Sequence, residues 1–158
     1  EAAYILQGVY LADVHQLQQG TPGILAYLLP GTRPDGGRCL WYFKRGPASK
    51  WQTIKDVWRR HGGDCKDFAP AVAAQLTVEF GIPARPIVFK VRPGLAHAVV
   101  QRLDTGTILD PSRLGGMGET SVGAIEESHA LGTREGIREL PRFASDDELY
   151  DFAVRAVR

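Results

Sequence analysis

Between Tyr4 and Leu17 the apolar residues Ile5, Leu6, Val9, Tyr10, Val14 and Leu17 recur at helical spacing, and Gly20, Pro22 and Gly23 end the run. This predicts an N-terminal helix over 4–18. "ILAYLLP" is a short apolar run that fits more than one element type. "GTRPDGG" has the composition of a loop, and the aromatic-rich "RCLWYFK" reads as a strand. From Ser49, the spacing of Trp51, Ile54, Val57 and Trp58 places one apolar face on a second helix, stopped by Gly62 and Gly63. A third helix is expected from about Asp64 to Phe80, closed by Gly81 and Pro83. "RPIVFKV", "HAVVQRL" and "TILD" then have strand composition, and Asp104-Thr105-Gly106 has the form of a hairpin turn that sets the last two strands antiparallel. "PSRLGGMGETSVG" reads as a Gly-rich surface loop. "SDDELYDFAVRAVR" opens on a serine cap and early acids, the pattern of a terminal helix over 145–157. Helices followed by strands indicate an α+β fold, helices packed on a small antiparallel sheet. Neither repeats nor a composition break divide the 158 residues, so one domain spanning 1–158 is expected, with its core at about 49–112.

Composition narrows the function classes. At 44% hydrophobic and 23% charged residues the chain can fill an ordinary core. A net charge of +1 provides no field directed at nucleic acid or an anionic membrane. No apolar run approaches the roughly 20 residues of a membrane span. The first residue is Glu1 and not Met, which points to processing, trimming or excision from something longer. Two cysteines, Cys39 and Cys65, make no disulfide framework. A cytoplasmic or virion-associated setting is therefore expected over disulfide-dependent secretion. No CxxC or HxxxH pair is present, and His15, His61 and His129 follow no metal spacing, so neither a metal nor another cofactor is expected.

Cys65, in "HGGDCKDFA", has four readings: a small core hydrophobe, a metal ligand, half of a disulfide, or a nucleophile at a helix start. The chemistry of the last is specific. A thiol reacts as its thiolate, and the unpaired N–H groups and positive dipole end of a helix N-terminus stabilise that charge. Gly62 and Gly63 let the chain turn, Asp64 can cap and Asp67 falls in the first turn, which sets Cys65 at about the first helical position. Pro70 conflicts with a regular helix from that point, since it lacks an N–H and clashes with the Lys66 carbonyl. Both demands are met if residues 64–69 form one tight turn and the main helix continues from Pro70 with a bend. A thiolate also needs a base, and the base an orienting group. His97 begins one strand and Asp110 ends the next, so the hairpin brings them side by side at one edge of the sheet. A histidine flanked by a carboxylate keeps its tautomer and is stabilised when protonated. Asp110 can equally serve only as a cap for the turn at Pro111.

The set "GGDCKDFA", "GIPARPIVF", "HAVVQRL" and "LDPS" resembles the transglutaminase-like superfamily of papain-like Cys-His-Asp enzymes. The likeness runs from about Trp51 to Ser112, and its motif forms are most similar to compact bacterial and phage-encoded members. It implies a papain-like core with Cys65 as nucleophile, His97 as base and Asp110 as the orienting residue. Members often place a Trp or Gln beside the oxyanion, which makes Trp51 and Gln52 candidates for that role, with helix-core packing the plainer role for Trp51. The chain departs from the pattern at Ala98, where many members carry an aromatic residue and where a small side chain would leave room for a bulky substrate. Pro70 in the catalytic helix is a second departure.

The leading expectation is a cysteine-dependent peptidase or amidase that acts on a peptide or protein substrate through an acyl-enzyme. Hydrolysis is favoured over acyl transfer to an amine because the short chain lacks the extra domains of large transglutaminases. Two alternatives stand beside it. One is a cell-wall endopeptidase similar to NlpC/P60 proteins, which usually carry a further histidine where Asp110 stands here. The other is a non-catalytic structural or assembly module, for example a virion component, that keeps the fold.

Overall fold

The computed structural model describes residues 2–43, 50–92, 95–117 and 145–157. The chain order is α1 (Ala2–Gln18), a single 3-10 turn (Leu25–Leu28), β1 (Trp41–Tyr42), α2 (Ile54–Arg60), β2 (Gly62–Gly63), α3 (Cys65–Phe80), β3 (Ala84–Arg92), β4 (Leu95–Arg102), β5 (Ile108–Leu109), α4 (Pro111–Leu114) and α5 (Asp146–Ala156). The architecture is α+β: a three-stranded antiparallel sheet in the order β3-β4-β5 packs against α3 and α1.

α3 is the centre of the molecule. Phe68, Ala69, Ala71, Val72, Ala73, Ala74 and Leu76 are all fully buried, so the helix is enclosed on every side and not only along one stripe. Its run of alanines gives helix propensity and a slim surface, which lets α1 approach from one side and the sheet from the other. On the sheet, side chains alternate. Ala98, Val100 and Leu109 join the core around α3, while Val99 and Ile108 form a second small cluster with Ile87 and Phe89. The buried place of Ala98 corrects the expectation that it faces substrate: its size serves the contact between sheet and helix. The 3-10 turn resolves the ambiguous "ILAYLLP". Ile24, Leu25, Leu28 and Leu29 are buried there, and the Leu25 N–H donates to the buried Gln75 Oε1 at 2.9 Å.

Two further expectations change. The second helix starts at Ile54 and not at Ser49, with Thr53 in the N-cap position. Trp51 and Gln52 precede it outside any helix or strand, and the first free amide of α2, that of Ile54, is satisfied from outside by Asp13 Oδ1 at 2.7 Å. Its stop is His61, in the left-handed region at φ 59°, and the two glycines continue as β2. β2 pairs in parallel with β1, Trp41 opposite Gly62 and Tyr42 opposite Gly63, so most of "RCLWYFK" lies outside any ladder. Gly62 is required at that contact, since a Cβ there would stand 2.1 Å from the Trp41 carbonyl oxygen.

α3 also runs without interruption from Cys65 through Pro70 to Phe80, so residues 64–69 are not a separate turn. A capping box holds its first turn: Asp64 Oδ1 accepts from the Lys66 N–H at 3.1 Å, and Asp67 Oδ2 accepts from the Asp64 N–H at 3.0 Å. Pro70 is itself buried, and packing on all sides offsets the single backbone hydrogen bond it removes. Gly81, at φ 66°, closes the helix as expected. The β4–β5 turn is antiparallel as read from the sequence, with Arg102 and Thr107 bonded across it at 2.9 Å and Gly106 at φ 74°. α5 falls where the terminal helix is expected. His15 is exposed in the last turn of α1. Pro111–Leu114, expected as the start of a surface loop, form α4 with Pro111 and Ser112 buried, because Asp110 caps them, whereas His129 and the Gly-rich stretch beyond Met117 lie outside the described residues.

Candidate active site

The N-terminus of α3 presents Cys65 at the first helical position, immediately after its cap Asp64. The amides of Lys66, Asp67 and Phe68 are taken by Asp64, through its side chain or its carbonyl, and the Cys65 amide takes no part in these bonds. Lys66 folds back so that its ammonium pairs with the Asp64 carboxylate. Both cysteines are free thiols, which removes the disulfide reading of Cys65.

His97 is the third residue of β4, opposite Phe89 of β3. The β4–β5 ladder ends with Val100 opposite Leu109, so Asp110 lies one step beyond it and reaches diagonally to the histidine. His97 Nε2 donates to Asp110 Oδ2 at 2.8 Å. The second oxygen, Oδ1, accepts from the Ser112 N–H at 3.1 Å and caps α4, so Asp110 performs both roles open to it. With Nε2 committed to Asp110, Nδ1 is the ring nitrogen left for Cys65, which acts on the same imidazole and helps to raise its pKa. All three residues are buried, Cys65 at 8% exposure and His97 at 5%.

Burial pushes the His97 pKa down, but its interactions with Asp110 and Cys65, in which the ring donates and both partners contribute negative charge, outweigh it and raise the ring to about 9. The imidazolium is therefore the favoured form at neutral pH, facing a carboxylate on one side and the sulfur on the other.

Trp51 and Gln52 are not brought into this network among the described residues. Trp51 is half-buried and packs on the main core, the plainer of its two roles. Gln52 is buried, and its Oε1 has no partner among the described residues. No hydrogen bond joins either residue to Cys65, His97 or Asp110.

The sequence reading missed Asp13. It is fully buried on α1, and by bonding the Ile54 amide it ties α1 to the start of α2. Its other oxygen, Oδ2, has no partner among the described residues. Burial raises its pKa to about 7, opposed by the Ile54 hydrogen bond and assisted by the negative charges of Asp67 and Asp56. Asp67, in the first turn of α3, is likewise raised to about 7 by burial and by the Asp64 charge, against the Asp64 amide and Lys66. The signal for Asp13 was present: it falls on the stripe of Leu6, Val9 and Leu17, where a polar residue in an apolar helix face marks a specific partner.

Among the described residues no group of three or more His, Cys, Asp and Glu side chains could hold a metal ion, and no helix is long and apolar enough to cross a membrane. Comparisons with protein-family models, with curated proteins and with solved structures found no match.

Proposed function

We propose that the protein is a cysteine-dependent hydrolase of the transglutaminase-like, papain-like kind, acting on amide bonds of a peptide or protein substrate. The observation that carries this reading is the buried His97–Asp110 pair at 2.8 Å, with Cys65 at the start of α3 acting on the same imidazole. Each part has a chemical task. The Cys65 sulfur attacks the scissile carbonyl carbon, and any proton left on the thiol passes to His97. The carbonyl π electrons move to oxygen, and the Cys65 amide at the end of α3 donates to that oxyanion. The tetrahedral species then collapses: the C–N bond breaks, and His97 gives its proton to the departing amine. Water adds to the resulting thioester, again losing its proton to His97. The C–S bond breaks and the acid leaves. Asp110 accepts no proton in this sequence; it holds the ring with Nδ1 toward sulfur and stabilises the imidazolium.

The small exposure of Cys65 and His97 favours the second reading, a structural module that keeps the constellation without turnover. Alkylation by iodoacetamide at pH 6 separates the two. In the enzymatic reading Cys65 reacts there far faster than Cys39, the other free thiol of the described residues. Peptide mapping should place the label on Cys65, and Cys65→Ala should remove it while the thermal melt remains cooperative. Equal, slow labelling of both cysteines would overturn the enzymatic reading.

A further inference from the structure

Beside the triad lies an exposed aromatic surface that the chemistry above does not use. On β1 and its continuation, Tyr42 turns inward against Phe68, while Trp41 and Phe43 turn outward with 42% and 38% exposure. Segments that carry the triad flank this strand on both sides. On one side the Trp41 N–H donates to the His61 carbonyl at 3.1 Å, and that of Phe43 to the Gly63 carbonyl at 2.8 Å, two residues before Cys65. On the other, the Tyr42 N–H donates to the Gly115 carbonyl at 3.1 Å, five residues after Asp110. The Phe43 ring lies over Gly62, and Trp41 borders Gly116. Arg38 completes the surface. Its guanidinium sits 5.7 Å from the Trp41 ring centre, held by a 2.9 Å bond from Nε to the Leu28 carbonyl. Among the described residues it has no carboxylate partner.

We propose that Trp41, Phe43 and Arg38 form the recognition wall for the substrate, and that it selects a peptide carrying an aromatic or large apolar side chain next to an acidic residue. This rests on the enzymatic reading of Cys65 and adds the substrate class. Two outward aromatic rings on a strand pinned from both sides offer a rigid apolar face at little entropic cost. A guanidinium with no carboxylate partner among the described residues is matched by a carboxylate, which it can take in a two-point contact. The opposite charge pattern is disfavoured, because a lysine-bearing peptide would face the Arg38 guanidinium.

Thiol-directed dipeptide probes test the inference. The dipeptides Phe-Glu, Phe-Gln, Ala-Glu and Phe-Lys are attached through the C-terminus to an acyloxymethyl ketone, or through the N-terminus to an epoxysuccinyl amide, so that both sides of the scissile position are sampled. The ketone alkylates by forming a C–S bond as its carboxylate leaves; the epoxide does so by ring opening. The second-order rate of Cys65 modification is read by mass spectrometry, with iodoacetamide as the reference. In at least one series Phe-Glu should exceed Ala-Glu by about tenfold and Phe-Gln by about fivefold, with Phe-Lys slowest. Trp41→Ala should erase the first preference and Arg38→Gln the second, both leaving the iodoacetamide rate unchanged. Fast iodoacetamide labelling with flat probe rates, or with preferences that survive both substitutions, overturns the recognition wall and leaves the nucleophile standing. Slow iodoacetamide labelling of Cys65 overturns the enzymatic reading, and the wall with it.

Discussion

Replacing Asp110 by Asn removes a charge and one of two acceptors from the site. The carboxylate accepts from His97 Nε2 at 2.8 Å and from the Ser112 amide at 3.1 Å, whereas the carboxamide oxygen can keep only one of these bonds and its NH2 faces the other partner. A hydrogen bond to a charged group is worth roughly 1.5–3 kcal/mol. At about 1.4 kcal/mol for each pH unit, the His97 midpoint should fall by about one to two units. In the parent it stands near 9, above the ordinary 6.5. A group whose pKa is raised on folding contributes stability that is fully present below its unfolded value and lost as pH rises through the folded value. The parent therefore gains from His97 below about pH 6.5 and loses that gain by about pH 9, whereas the variant loses a smaller gain at lower pH. The stability difference between the two should narrow by about 2 kcal/mol from pH 6 to pH 10. Imidazole resonances followed by NMR give the midpoint directly, and denaturant melts at pH 6, 8 and 10 give the linkage. A His97 midpoint that moves by less than about half a unit, or a stability gap constant across this range, would refute the account of the triad.

Three other perturbations follow from the same coordinates. Pro70→Ala restores an N–H for the Lys66 carbonyl inside a continuous helix, so the melting temperature should rise, equivalent to about 1 kcal/mol after the cost of the small void; a fall would show that the buried ring matters more than the missing bond. Asp13→Asn imitates the protonated acid, and because the folded-state pKa of Asp13 is raised to about 7, the parent loses stability as pH climbs from about 4 to 7. The variant should gain on it by about 2–4 kcal/mol between pH 4 and pH 8, and a gap that stays level in paired melts would contradict the buried, unpaired oxygen. Gly62→Ala forces a Cβ to within 2.1 Å of the Trp41 carbonyl oxygen and should cost about 3 kcal/mol, read as a lowered denaturant midpoint; a neutral result would mean that β1 can be displaced without consequence.

The sequence by itself determined the elements whose signals are local. The period of α1, the glycine stop and acidic start of α3, the hairpin turn at Asp104-Thr105-Gly106 and the serine-led α5 are each written in a few consecutive residues, and the structure places all four within a residue or two of the reading. The pairing of His97 with Asp110 was also legible, because an antiparallel hairpin converts their sequence distance into spatial adjacency without help from the rest of the chain. Tertiary structure decided whatever depended on partners distant in sequence. Asp13 reaches 41 residues along the chain to satisfy Ile54, and α2 begins at that long-range contact, although Trp51 continues the apolar period. Pro70 remains inside α3 because burial on every side outweighs one lost hydrogen bond, a balance that no local rule contains. The parallel ladder of Trp41 and Tyr42 with two glycines has no periodic signature at all. It exists because only glycine admits the Trp41 backbone so close, and through it the chain brings an aromatic strand to the edge of the candidate site.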